Sequence, residues 1–248
     1  MPPSTLPAML LPTMSWNALL MNKPVNIPVP EARGLAGLWS LPASATSWPA
    51  IVIASGSNYP KEGAIMAAMT ERALAAGWAV LTFDWSYTTY GGSPSSSRKR
   101  EKRELQAALD YLGSRPKIDR QRIVVAGKSL GSAVAYALFL DNLDLLGAAL
   151  LTPVMRTPEG AERAYPGLSA QARPIHLLAG KSDPLNALPV MEAHLAGAGK
   201  QIVTTLIDGD HGLNVTRKKD ETSQARNRAN VAAGVRAVVR WLETLSAP

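Results

Sequence analysis

Short, unbroken apolar runs alternate along the chain with longer stretches in which apolar residues recur at helical spacing. The first clear run, Ala50-Ile51-Val52-Ile53-Ala54, lies between Pro49 and Ser55-Gly56. Continuous apolar character bounded by turn formers predicts a strand buried on both faces. A helix is predicted over about 63–76, where Ala, Met and Leu dominate and Gly77 ends the pattern. The alternation then repeats. Strands are predicted at 78–83, 122–126, 148–151, 175–179 and 202–207, with helices at about 98–112, 130–140, 187–196 and 223–245. Buried strands separated by helices predict a parallel sheet wound on both faces. The segment 25–41 is expected to supply leading strands, antiparallel to the rest. The expected fold class is therefore α/β, a doubly wound, mostly parallel sheet with a minimal cap, in a single domain over 1–248.

Residues 1–24 do not change that picture. They are apolar, but Pro7 and Pro12 interrupt them and no Lys or Arg precedes Lys23, unlike a secretory leader. They are expected to pack on the domain or stay loose. No uninterrupted apolar run reaches the roughly 18 residues that a membrane helix needs, so no membrane span and a cytoplasmic location are expected.

Composition narrows the chemistry. With no cysteine in the chain, disulfides, thiolate metal ligands and a cysteine nucleophile are all excluded. The three histidines, His176, His194 and His211, lie far apart and outside any H-E-x-x-H pattern, so neither a metal nor another cofactor is expected. The net charge of +7 is concentrated in runs such as Arg98-Lys99-Arg100 and Arg217-Lys218-Lys219. No aromatic residues interleave these runs as a base-stacking surface would require. They read as solvated helix starts and loops, and no specific nucleic-acid partner is expected.

In a sheet of this kind, functional residues belong on loops at the carboxyl ends of strands. Gly127-Lys128-Ser129-Leu130-Gly131 fits G-x-S-x-G and sits directly between a predicted strand and a predicted helix. A turn that sharp strains its central residue and pushes the hydroxyl outward. The near neighbours must then be almost free of side chain, as glycine at 127 and 131 is. Ser129 is the expected nucleophile. A serine hydroxyl needs a base, and the base needs an orienting group. His211, in Asp208-Gly209-Asp210-His211-Gly212 after the strand at 202–207, is the expected base; His176 falls inside a strand and His194 inside a helix. Asp183 follows the strand at 175–179 and is the expected acid, with Asp208 and Asp210 as rivals. The N–H of Leu130 is expected to donate to the oxyanion. A second donor is expected from the loop after the strand at 50–54, at Ser57 or alternatively Asn58.

On these residues the chain resembles the α/β-hydrolase superfamily, and within it the small, nearly lidless members of the dienelactone-hydrolase-like kind. The likeness covers about 50–245 and rests on the 55–59 loop, the 127–131 turn, Asp183 and His211. Asp84 followed by Tyr90-Gly91-Gly92-Ser93 is similar to this superfamily's loop after the fourth strand. Two departures stand out: Ser55 replaces a histidine found in many relatives, and dienelactone hydrolases proper use a cysteine nucleophile. The resemblance implies hydrolysis of small carboxylic esters through an acyl-serine intermediate. Acyl transfer or thioester cleavage by the same residues, or a silent interaction module on the same fold, are the alternatives. About twenty residues separate the strands ending near Leu151 and beginning near Ile175, too few for a large lid. The cleft is expected to be open, lined by Asn58, Tyr59, Trp85, Tyr87, Tyr90, Met155, Leu185 and Leu213.

Overall fold

The computed structural model describes residues 21–42 and 45–246. Eight strands form one sheet: β1 (Met21–Ile27), β2 (Leu35–Leu41), β3 (Trp48–Ala54), β4 (Ala79–Phe83), β5 (Ile118–Lys128), β6 (Gly147–Leu151), β7 (Ile175–Gly180) and β8 (Ile202–Ile207). Their order across the sheet is β1-β2-β4-β3-β5-β6-β7-β8. The β1–β2 and β2–β4 pairs are antiparallel. Every pair from β4 to β8 is parallel. The helices are α1 (Ala64–Ala75), α2 (Ser86–Tyr90), α3 (Lys99–Gly113), α4 (Leu130–Asp141), α5 (Pro158–Ala164), α6 (Leu188–His194) and α7 (Glu221–Ser246).

The apolar run at 50–54 produces two cores because side chains alternate across a strand. Ala50, Val52 and Ala54 face one cluster with Leu105 and Leu109 of α3 and Tyr136 and Phe139 of α4. Ile51 and Ile53 face the other, with Met66 and Met69 of α1 and Val235, Val238 and Leu242 of α7. Helices therefore cover both faces, as the unbroken strand pattern requires. Each fully buried aliphatic side chain contributes roughly 1.5–3 kcal/mol by leaving water.

Three local features differ from the sequence expectation. β1 begins at Met21, ahead of the expected start near 25, so 21–24 pair with β2, while 1–20 lie outside the described residues. β5 begins at Ile118, ahead of the apolar run, and its register against β3 shifts between Trp48 and Ala50. The Tyr-rich segment after β4 contains the short helix α2. The β6–β7 connection holds only α5 and one 3₁₀ turn at Leu168–Ala170, a small cap.

Candidate active site

Parallel strands end on one rim of the sheet, so the loops after β3, β5, β7 and β8 open together. Register brings them into pairs. Ala54 stands opposite Gly127, so the 55–59 loop leaves beside the turn after β5. Gly180 stands opposite Ile207, which starts the loops carrying Asp183 and His211 side by side.

Ser129 links the last residue of β5 to the first of α4, at φ 54°, ψ −117°. Side chains rarely adopt such a backbone, and it persists only when the surroundings over-determine it. Here they do. A Cβ at 127 would lie 2.1 Å from the carbonyl oxygen of Gly131, and a Cβ at 131 would lie 2.5 Å from the carbonyl oxygens of Ala54 and Ser55. Those are backbone atoms of α4, the last residue of β3 and the loop that follows it, not the ends of flexible side chains. The Ser129 N–H donates to the Leu151 carbonyl at 2.9 Å, and its own carbonyl accepts from Ser132 N at 3.0 Å and Ser132 Oγ at 2.6 Å. The buried Tyr165 hydroxyl joins Ser132 Oγ at 2.7 Å and accepts from Val154 N at 3.1 Å, bracing the turn from the cap. The N–H of Leu130, first in α4, has no carbonyl to bond within the helix.

Across the rim, His211 Nδ1 lies 2.7 Å from Asp183 Oδ2. Asp183 Oδ1 accepts from the Leu185 N–H at 2.8 Å, so both carboxylate oxygens are engaged on a buried side chain. Nε2 of His211 is buried with no hydrogen-bond partner. The rival acids do other things. Asp210 Oδ1 accepts from Gly212 N and Asn214 N at 2.8 and 3.0 Å, shaping the histidine loop. Asp208 pairs with Lys181 Nζ at 3.0 Å on the surface. The other histidines are elsewhere: His176 is buried in β7, where burial pushes its pKa down to about 4, and His194 ends α6.

The 55–59 loop is buried at its root and exposed at its tip. Ser55 is buried, its Oγ donating to the Phe83 carbonyl and its own carbonyl accepting from Trp85 Nε1 at 2.8 Å. Ser57 and Asn58 are exposed at the turn, Asn58 with φ 52°. The Tyr59 hydroxyl accepts from Ile65 N at 3.0 Å.

The aromatic and aliphatic side chains expected around an open cleft mostly take other places. Trp85, Met155 and Leu213 are wholly buried and Tyr87 nearly so, all within the two cores. Leu185 contributes backbone, donating to Asp183 and accepting from Met155 N. Tyr90 is exposed and bonds the Gly34 carbonyl. The cavity that contains Ser129 and Leu130 is instead lined by Ala133, Val154 and Tyr165 together with polar residues of the 96–98 and 156–163 segments. These apolar residues sit where α4 meets the cap, a junction that periodicity within one element does not reveal.

Lys128 also escaped sequence reasoning. It is 3% exposed, with Nζ 4.7 Å from the centre of the Tyr59 ring. Burial pushes its pKa down to about 8, although Asp183 and Asp210 pull it back upward. In the unfolded chain the group keeps an ordinary value near 10.5. Below pH 8 both states are protonated and the fold carries the full cost of the buried ammonium. Between about 8 and 10.5 the unfolded state binds more protons, so this group's contribution becomes more favourable as pH rises. Denaturant titrations of wild type and Lys128→Met at pH 7.5 and pH 10 should show the wild type gaining on the order of 2 kcal/mol relative to the variant. Parallel behaviour of the two proteins would contradict that burial.

Comparison with known proteins agrees with the fold. A family model described as an alpha/beta hydrolase domain matches residues 48–240. The alpha/beta hydrolase domain-containing protein WAV2 of Arabidopsis thaliana is 44% identical over 70 residues, 28% of this chain and 23% of that relative. The aligned segment thus spans less than a quarter of that protein's length. The esterase domain of a Rhodothermus marinus protein superposes with a TM-score of 0.68 at 16% identity, covering 90% of this chain and 98% of that one. The Pyrococcus furiosus esterase Pf2001 superposes with a TM-score of 0.63 at 17% identity, covering 83% and 90%. Among the described residues no helix is long and apolar enough to cross a membrane. With the family model covering well over half of its length, the chain belongs to the α/β-hydrolase family.

Proposed function

We propose that the protein is a serine hydrolase that cleaves carboxylic esters of short to medium acyl chains through an acyl-Ser129 intermediate. The observation that carries this reading is the 2.7 Å contact of His211 Nδ1 with Asp183, which leaves Nε2 buried and unpartnered. A carboxylate on Nδ1–H fixes the tautomer in which Nε2 is the free base. Nε2 takes the Ser129 proton as Oγ attacks the ester carbonyl. The negative charge that develops on the carbonyl oxygen meets the Leu130 N–H and a second donor from Ser57 or Asn58. Nε2 then protonates the departing alcohol, and water repeats the sequence to release the acid. Asp183 keeps its charge throughout and stabilises the imidazolium.

The test is covalent. A fluorophosphonate probe followed by peptide mass spectrometry should place one adduct on the peptide containing Ser129. An unlabelled protein, or an adduct on another residue, would overturn the assignment.

The small cap motivates a further expectation. A deep acyl groove gains about 0.8 kcal/mol for each buried methylene, so rates would climb steadily with chain length. One seven-residue helix and a single 3₁₀ turn offer little wall for such a groove. Among p-nitrophenyl esters, kcat/KM should peak between acetate and hexanoate, with no jump at an oil–water interface. A continuous rise to dodecanoate would contradict it.

A further inference from the structure

The cavity of about 600 Å³ that contains Ser129 is electrostatically one-sided. Arg98, Arg156 and Arg163 line it, and no aspartate or glutamate does. They come from separate parts of the chain. Arg98 immediately precedes α3, whereas Arg156 and Arg163 belong to the β6–β7 connection, the latter in the last turn of α5. Among the described residues none of the three forms an ion pair.

What sets these three apart from the other unpaired cations is that they border one cavity together, beside Ser129. In the same basic run as Arg98, Arg100 pairs with Glu101 and Glu104, and Lys102 with Asp141. The acids of α5, Glu159 and Glu162, line a different groove, which Arg163 also borders, and Glu162 lies 3.8 Å from His194 Nδ1. Arg98 is moreover held in place at a backbone cost. Its φ is 55°, a left-handed value for a residue with a side chain. The segment leading to it is tied down, with Ser95 N donating to the buried Glu101 at 2.8 Å and Arg98 N donating to the Ser95 carbonyl at 3.2 Å.

The three side chains are exposed, so solvent screens their mutual repulsion, and an anion placed among them would gain from all three. Their planar forks suit an acceptor with two or three oxygens. We infer that the natural ester carries a fixed negative charge on the portion that fills this cavity, held by Arg98, Arg156 and Arg163 while the scissile carbonyl meets Ser129. The chemistry of cleavage here rests on the proposed ester hydrolysis, but the anion site does not.

Two matched ester pairs test it. In the first, p-nitrophenyl hemiglutarate is compared with p-nitrophenyl pentanoate, placing the charge on the acyl side. In the second, 4-carboxyphenyl acetate is compared with phenyl acetate, placing it on the leaving group. With each kcat/KM normalised to the ester's rate with hydroxide, the anionic member of at least one pair should be favoured tenfold or more at low salt. Added salt should reduce the preference. The ratio should fall at least fivefold in Arg98→Met or Arg163→Met, and a ratio does not depend on the fraction of protein that folds. No preference in either pair, or a preference that both variants retain, would overturn the inference.

A binding measurement separates this idea from the reaction itself. Ser129→Ala should bind monophenyl glutarate at least tenfold more tightly than phenyl pentanoate, or 4-carboxyphenyl acetate at least tenfold more tightly than phenyl acetate, by calorimetry. Equal or absent binding in both pairs overturns the anion site. Preferential binding by a protein that hydrolyses no ester would keep the anion site and remove the hydrolase reading.

Discussion

Ser129→Ala should lower kcat/KM for a short-chain ester by about 10⁵-fold or more, while leaving the fold in place. The expectation combines two separate properties of the turn. The sharp backbone at 129 is enforced by contacts that the substitution does not touch: the close approaches at Gly127 and Gly131 and the bond to the Leu151 carbonyl. Alanine can therefore occupy the position at much the same cost as serine, and midpoints of unfolding should agree within about 0.5 kcal/mol. The reaction, by contrast, loses the atom that bonds to the substrate. Only the oxyanion donors remain, and these give a small residue of the full rate. Steady-state rates measured alongside a denaturation curve decide the matter. More than 1% residual turnover in a folded variant would place the nucleophile elsewhere.

The parts of this molecule that could be read in advance are those governed by local pattern. The runs 50–54, 148–151 and 175–179 are strands within a residue or two of their expected limits, because burial on both faces makes them almost wholly apolar. The strand–turn–helix setting of Ser129 follows from G-x-S-x-G at the end of such a run. The adjacency of Asp183 and His211 was anticipated from order along the chain, and the β7–β8 register accounts for it.

What escaped was decided by packing between distant segments. The start of β5 runs through Asp119-Arg120-Gln121-Arg122, polar and part-exposed, between Ile118 opposite Trp48 and Ile123 opposite Ala50, where the register shifts. No hydrophobic period marks it. Trp85 and Met155 are among the residues expected at the cleft, yet each closes the core. A loop position tells nothing of which way a large apolar side chain turns, and turning inward gains more. Lys128 reads as an ordinary charged residue in the sequence. It is buried because the 55–59 loop and Tyr59 fold over it, a contact across many residues. Arg98 belonged to a run that looked uniformly solvated. Arg98 is indeed exposed, yet it also borders the cavity, while Arg100 and Lys102 are ion-paired.

Asp183→Asn should reduce kcat by about 10³–10⁴-fold without unfolding the protein, and the two hydrogen bonds on this carboxylate say why. Oδ1 accepts from the Leu185 N–H at 2.8 Å and Oδ2 faces His211 Nδ1 at 2.7 Å. An asparagine has one acceptor and one donor. The backbone N–H of Leu185 can only donate, so the amide oxygen must stay with it, and the amide NH₂ then points at His211. Nδ1 becomes an acceptor, the ring proton moves to Nε2, and the atom meant to receive the serine proton already holds one. The flipped amide is no better, because two donors would meet at Leu185, at about 1–3 kcal/mol for the unsatisfied buried group. Both orientations keep the shape of the site, so the loss should appear in kcat and in slower fluorophosphonate labelling, with little change in stability. Asp208→Asn is the control: its carboxylate meets Lys181 at the surface, and turnover should stay within about twofold of wild type. A near-normal rate for Asp183→Asn, or a collapse in Asp210→Asn with the histidine loop still folded, would assign the orienting role to another carboxylate.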